Sequence, residues 1–241
     1  MEDIVIISID ENKKYGGNTG SLFEARIKFK NEGVIDCLAK HIDNISSTES
    51  INAHSLMVGV KSDELMQVYG HIEYNGKQYI FIEKLSDTCD AYIQLHSNEI
   101  KKENILSIAH KLGNAIGVMH KKGLSHGDIH LGNLMCNKEF TKCKLIDFDR
   151  VTRNASFKKD CEQYASTVAH CLVLFAKPQT CSGSYQTDIP VITNTEIKNI
   201  ITACQTKIFE QVKENMTDFN EKWNGVLSTI NEAIESLKKQ F

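Results

Sequence analysis

Between Leu124 and Asp149 the chain reads Leu-Ser-His-Gly-Asp-Ile-His-Leu-Gly-Asn-Leu-Met and then, after a short interval, Leu-Ile-Asp-Phe-Asp. No other stretch limits the fold so tightly, because three polar side chains of complementary chemistry stand at short intervals among apolar residues. Asp128 can accept or orient a hydroxyl proton. Asn133 follows five residues later and can hold a metal, and Asp147 ends the strand-like run Lys144-Leu145-Ile146, where it can chelate Mg²⁺ between phosphate oxygens. Phosphoryl transfer depends on positioning and charge neutralisation, so an Asp, an Asn and a second Asp around a magnesium nucleotide are the parts it needs. Asp, Gly and Asn are also ordinary turn residues, so each segment alone says little. Their joint order and spacing carry the argument.

His126-Gly127-Asp128-x-His130-x-x-Asn133 followed by Ile146-Asp147-Phe148-Asp149 resembles the catalytic loop and metal loop of the protein-kinase-like superfamily. The form with Gly after the His is similar to the aminoglycoside and choline phosphotransferases, and to divergent bacterial and viral protein kinases. The resemblance covers roughly residues 15–175. It implies an α+β, two-lobed kinase-like fold in one domain, with a small antiparallel β-rich N-lobe over 1–85 and a helical C-lobe over 86–241. It also implies ATP and Mg²⁺ as cofactors, Asp128 as the group that orients or deprotonates the acceptor, and Asn133 and Asp147 as metal ligands. By the same resemblance His126 packs under the metal loop and His130 lies near the γ-phosphate. Asp160 would brace the catalytic loop, although a carboxylate favoured by a helix N-terminus is an equal reading. Gly127 stands where an Arg would meet a phosphorylated activation loop, so switching of that kind is not expected. No Ala-Pro-Glu follows, so a peptide-binding platform is missing or rebuilt.

Upstream, Ile4–Ile9 reads as a strand, and the Gly-rich stretch Tyr15–Ala25 lies between two alternating runs, which predicts a hairpin. Gly17-x-x-Gly20-x-Leu22 resembles the later part of the Gly-rich loop that covers nucleotide phosphates. A Walker-type loop is excluded because no Lys follows the last glycine. Val34–Lys40 reads as the next strand, and Ala39-Lys40 resembles the strand whose Lys grips the α- and β-phosphates, with Lys28 as the alternative. A helix over 47–60 follows, capped by Ser46 or Ser47. It offers Glu49 as ion-pair partner of Lys40, with Glu64 behind it, although the family spacing puts that partner nearer Ala53. Gln67–Tyr74 and Lys77–Leu85 flank Asn75-Gly76 and form the clearest hairpin in the chain. Its second strand resembles the one that enters the kinase hinge, which places Ile82 behind the adenine and offers backbone hydrogen bonds from Glu83 to Leu85.

Beyond a connector at Asp87–Asn98, helices are expected over about 102–122, 158–177, 195–214 and 218 to the end. In the first, Ile105, Ile108, Leu112, Ile116 and Met119 recur at helical steps and predict one core-facing stripe. Residues 178–195 read as a loop. The eight cysteines show no Cys-x-x-Cys pair, which argues for reduced thiols and a cytoplasmic setting, or delivery into a host cell's cytosol. A net charge of −3 without basic blocks does not call for nucleic acid, and no apolar run approaches the roughly 20 residues of a membrane span. The start, Met1-Glu2-Asp3 then Ile4–Ile7, lacks the pattern of a signal peptide.

The acceptor is the open question. The short connector favours an atypical, compact Ser/Thr protein kinase of the sort bacterial effectors and viruses use. His130 is more typical of small-molecule alcohol kinases. A pseudokinase acting as a binding module is the reading from another class. The missing Arg and the misplaced Glu allow for an activating partner that orders the helix over 47–60.

Overall fold

The computed structural model describes residues 4–15, 21–29, 33–42, 47–85, 100–137, 139–176 and 194–240. The Gly-rich turn with Gly17 and Gly20, the connector 86–99 and most of the expected loop (177–193) lie outside the described residues.

Strands β1 (Ile4–Tyr15), β2 (Ser21–Phe29), β3 (Val34–Ile42), β4 (Val68–Tyr74) and β5 (Lys77–Glu83) form one antiparallel sheet in the order β1-β2-β3-β5-β4. β1 runs well past the expected Ile4–Ile9 because register shifts after Ile6 and after Asp10 absorb extra residues as bulges. The β4–β5 turn has Asn75 and Gly76 at φ 53° and 71°, the left-handed pair a tight hairpin needs. The sheet curls until its edge strands meet. A Cβ on Gly70 of β4 would lie 2.7 Å from the Ile4 side chain of β1, and the Tyr79 hydroxyl of β5 donates to Glu11 at 2.9 Å. Ala25, Ile27, Cys37, Ala39, Tyr79 and Phe81 fill the inside of this curl, and strand alternation sends Leu22, Leu38, Ile80 and Ile82 to the other face, against the rest of the molecule.

On that second face lies α1 (Ser47–Met57), which buries Ala53 and Met57. The helical lobe is built on α2 (Lys102–Lys121), whose expected stripe, Ile105 to Met119, is fully buried and which stops at Gly123 with φ 71°. Helices α3 (Lys158–Ala176), α4 (Thr195–Val212) and α5 (Phe219–Lys238) complete it. Two glycines of α2 let α5 come close: a Cβ on Gly113 would fall 2.1 Å from the Phe219 ring, and one on Gly117 would fall 2.6 Å from the Met216 carbonyl. Between α2 and α3 run short strands β6 (Leu124–Ser125), β7 (Leu134–Cys136), β8 (Cys143–Leu145) and β9 (Thr152–Arg153), paired β6–β9 and β7–β8. The chain therefore adopts the α+β, two-lobed architecture expected of it.

One expectation is overturned here. Cys136 and Cys143 stand directly opposite each other on β7 and β8 and are joined as a disulfide, so not all the thiols are reduced. The hairpin, rather than any tight sequence spacing, brings them together. Cys37, Cys161, Cys171 and Cys204 are free, and burial pushes their thiols up to about 12. Among the described residues no helix is long and apolar enough to cross a membrane.

Candidate active site

The catalytic loop starts where β6 ends and is held from below by one carboxylate. Asp160, in the first turn of α3, accepts from the Gly127 amide at 2.8 Å through Oδ1, and from the His126 amide at 2.8 Å and His120 Nε2 at 3.0 Å through Oδ2. His120 Nδ1 in turn accepts from the Met216 amide at 3.0 Å, and its ring stacks on Phe157. Burial works to raise the Asp160 carboxyl, but the His120 and backbone hydrogen bonds outweigh it and hold it below the usual range. Asp160 thus braces the loop as the resemblance implied, and dipole stabilisation alone does not account for these bonds. Gly127 has φ 78°, and a Cβ there would lie 2.9 Å from the Arg150 carbonyl, so the site requires glycine.

His126 is fully buried under the metal loop. Its Nε2 donates to the Ile146 carbonyl at 3.1 Å, its Nδ1 accepts from the Asp128 amide at 3.3 Å, and its ring meets Phe148 edge-on. Burial pushes its pKa down to about 4, which keeps the ring neutral and lets it play both hydrogen-bonding roles. Asn133 closes a 3₁₀ turn, Leu131–Asn133. Its Nδ2 donates to the Asp128 carbonyl at 2.9 Å, which leaves Oδ1 as the oxygen for a cation, and its carbonyl accepts from the Ile146 amide at 2.9 Å, tying catalytic loop to metal loop.

Asp147 sits in left-handed backbone, φ 62°, where a non-glycine residue is strained. Its Oδ1 is buried and accepts no hydrogen bond, and burial, followed by the neighbouring Asp149 carboxylate, pushes its pKa up to about 6. A buried carboxylate oxygen that accepts no hydrogen bond, on a loop tied to Asn133 through the Ile146 amide, offers the hard oxygen donors that suit Mg²⁺. Among the described residues no cluster of three His, Cys, Asp or Glu offers an alternative metal site. Asp128 is half-buried. Its Oδ1 accepts from Arg150 Nη1 at 3.1 Å, while His130 Nε2 lies 3.9 Å from its Oδ2. His130 is exposed and caps the 3₁₀ turn, its Nδ1 accepting from the Gly132 amide at 3.1 Å.

From the sheet, Lys40 reaches down into this region and is only 7% exposed. Its Nζ donates to Asp149 Oδ2 at 2.7 Å and lies 3.8 Å from Asp147 Oδ1. Lys28, the alternative, is exposed on β2. Leu22 stands opposite Lys40, and Leu38 stands opposite Ile82, on the same face. Ala39 does not belong to that set. It alternates with Lys40, so it packs inside the curl of the sheet, and Leu38 takes the place assigned to it. The hinge strand ends at Glu83, whose amide already donates to the Gln67 carbonyl at 2.9 Å and whose carboxylate accepts from Lys144 at 2.9 Å; Leu85 follows, half-buried.

The helix carboxylate expected for Lys40 is also corrected. Glu49 is exposed on α1, and Glu64 accepts from Ser62. The α1 residues that turn to the site are Ser50, whose hydroxyl donates to Asp149 Oδ1 at 2.5 Å, and His54, whose ring meets Phe148 edge-on. Leu38, Ser50, His54, Asp149 and Arg150 were therefore missed by sequence reasoning. Strand parity would have found Leu38, and Asp149 is visible as an acidic residue in the third place of Asp-Phe-Asp.

Comparison with known proteins agrees with this arrangement. The B1 kinase of Vaccinia virus (strain Western Reserve) is 30% identical over 84 residues, 34% of this chain and 27% of the relative. The B1 kinase of Variola virus is 28% identical over 103 residues, 42% of this chain and 33% of the relative. A probable serine/threonine-protein kinase of Dictyostelium discoideum, fnkB, is 33% identical over 87 residues, 36% of this chain and 16% of the relative. The aligned stretch thus spans a third or less of each relative's own length. The family model described as the protein kinase domain matches residues 13–171, well over half of the chain, from the first hairpin into α3. A lysine hung from a curled sheet above an Asp-Asn-Asp constellation is what that match leads one to find, and the chain belongs to the protein kinase family.

Proposed function

We propose that the chain is a compact Ser/Thr protein kinase of atypical form, effector-like or viral in kind, that transfers the γ-phosphoryl group of Mg²⁺–ATP to a protein hydroxyl. The single observation that carries this is Asp147: its backbone is strained, and its buried carboxylate oxygen accepts no hydrogen bond and lies 3.8 Å from Lys40 Nζ, on a loop tied to Asn133. Nothing in the fold needs it, and a phosphate-bound cation would use it. Bound there, Mg²⁺ would neutralise phosphate charge that develops as the γ-phosphoryl group leaves. Asn133 and Asp147 hold the ion, and Lys40 binds phosphate oxygens. Leu22, Leu38 and Ile82 supply the apolar wall for the base, and Glu83 and Leu85 present backbone groups to its edge. Asp128, held by Arg150, orients the incoming hydroxyl and takes its proton late.

A protein acceptor is favoured because the catalytic loop just after Asp128 is exposed. His130 and Gly132 are exposed there, and nothing described covers them. The viral and Dictyostelium relatives carry kinase names, which supports the same reading. His130, placed 3.9 Å from Asp128, keeps a small-molecule alcohol kinase as the second reading. An activator that orders α1 is a need this geometry weakens, since α1 is already tied to the metal loop through Ser50. The test is labelled-phosphate transfer from γ-labelled ATP with Mg²⁺ to a cell lysate split by size. Label in the protein fraction, on Ser or Thr, should fall by about 10²–10⁴ in Asp128→Ala. Label confined to metabolites moves the assignment to the second reading, and label in neither fraction overturns the enzyme reading.

A further inference from the structure

Resting on the reading of the cleft as a Mg²⁺–ATP site, we infer that Asp149 is the anionic partner that positions Lys40 for the nucleotide's phosphates, in place of a carboxylate on the helix. Protein kinases pair this lysine with a glutamate on the helix that follows. Here that helix presents no carboxylate. Glu49 is turned to solvent, and the position facing the site is Ser50, one helical turn before the His54 ring that packs on Phe148. A serine is too short to meet the lysine. Asp149 spans the gap: Oδ2 accepts from Lys40 at 2.7 Å and Oδ1 accepts from Ser50 at 2.5 Å, while the His54 ring, donating to the Ser50 carbonyl at 2.9 Å, walls the cluster.

Charge and burial require such a partner. The Lys40 side chain is 9% exposed, and an ammonium at that depth needs a carboxylate at hydrogen-bonding distance. Asp147 is farther away, at 3.8 Å, and its oxygen is the one reserved for a cation. The backbone supports the assignment too. Positive φ in this loop falls at Asp147, not at Asp149, so the third motif position has no conformational need for glycine and is open to a side chain with a task. In this arrangement Lys40 and Asp147 are both set by the metal loop, and α1 speaks to Lys40 through one hydroxyl rather than an ion pair. Asp149 is therefore a positioning residue.

The test is Mg²⁺–ATP affinity of the whole chain by calorimetric titration, with melting curves as a fold check. Asp149→Asn, which keeps shape and loses charge, is expected to weaken binding by the folded fraction about 10–100-fold, with a lowered melting temperature because Lys40 loses its anionic partner. In a Lys40→Met background the same substitution should change affinity little, since the two act as a unit. Asp149→Gly serves as second variant where Asn unfolds the chain. Wild-type affinity in Asp149→Asn, tighter binding in it, or a loss that adds in full to that of Lys40→Met would overturn the inference. A wild-type chain that binds no Mg²⁺–ATP would remove the nucleotide-site reading itself, and this inference with it.

Discussion

Two polar clusters lie on either side of Phe148, and they are built on opposite rules. Below the catalytic loop, both oxygens of Asp160, both ring nitrogens of His120 and both of His126 have hydrogen-bond partners, at 2.8–3.3 Å. At the metal loop, Asp147 is strained, holds a buried oxygen without a partner, and sits beside a second carboxylate. A satisfied buried network fixes one conformation and asks for nothing more. An unsatisfied one destabilises the fold and persists where a ligand completes it. The difference separates scaffold from site without reference to any relative.

Substitutions should separate them as well. The largest stability loss is expected for Asp160→Ala, which strands two backbone amides and His120 in the core; urea unfolding should show about 3–5 kcal/mol lost. If that variant melts like the wild type, the scaffold half of the comparison is wrong. Next is Gly113→Ala, which drives a methyl into the Phe219 ring and should lose about 1–3 kcal/mol by the same measurement, with nucleotide affinity unchanged in the folded fraction. The smallest effect is that of pH. His126 is held neutral with a pKa near 4, against about 6.5 in an unfolded chain. Below about pH 6.5 the unfolded state gains protons that the folded state refuses, so stability should fall from there, by about 2 kcal/mol from this group at about pH 5. A melting temperature flat over pH 7 to 4.5 would contradict the neutral, doubly bonded ring.

Much of this was legible in the sequence, and the limits have physical causes. The Asn75-Gly76 hairpin and the stripe of α2 follow from local rules of turn and period, and the order of Asp128, Asn133 and Asp147 follows from chemistry packed into a short loop. Ala39 was misplaced by one step of strand parity, an error the alternation of Leu38 and Lys40 would have corrected. Glu49 failed for a different reason. α1 carries few apolar residues, Ile51, Ala53, Leu56 and Met57 among polar ones, so its periodicity does not decide which polar side chain turns inward. The Lys40–Asp149 pair spans 109 residues, and the Cys136–Cys143 pair depends on a hairpin register, so neither is written in local spacing.

The central claim is that Asp147 is kept for a ligand and Asp160 for the fold. Melting curves of wild type and Asp147→Asn, each with and without Mg²⁺–ATP, test it most directly. The account predicts that the wild type gains melting temperature with nucleotide, by mass action on the folded state. It predicts that Asp147→Asn alone melts at or above the wild-type temperature, since the repulsion between the neighbouring Asp147 and Asp149 carboxylates is gone, and gains little or nothing from the nucleotide. An Asp147→Asn chain that melts several degrees lower, or that is stabilised by Mg²⁺–ATP as much as the wild type, would contradict it.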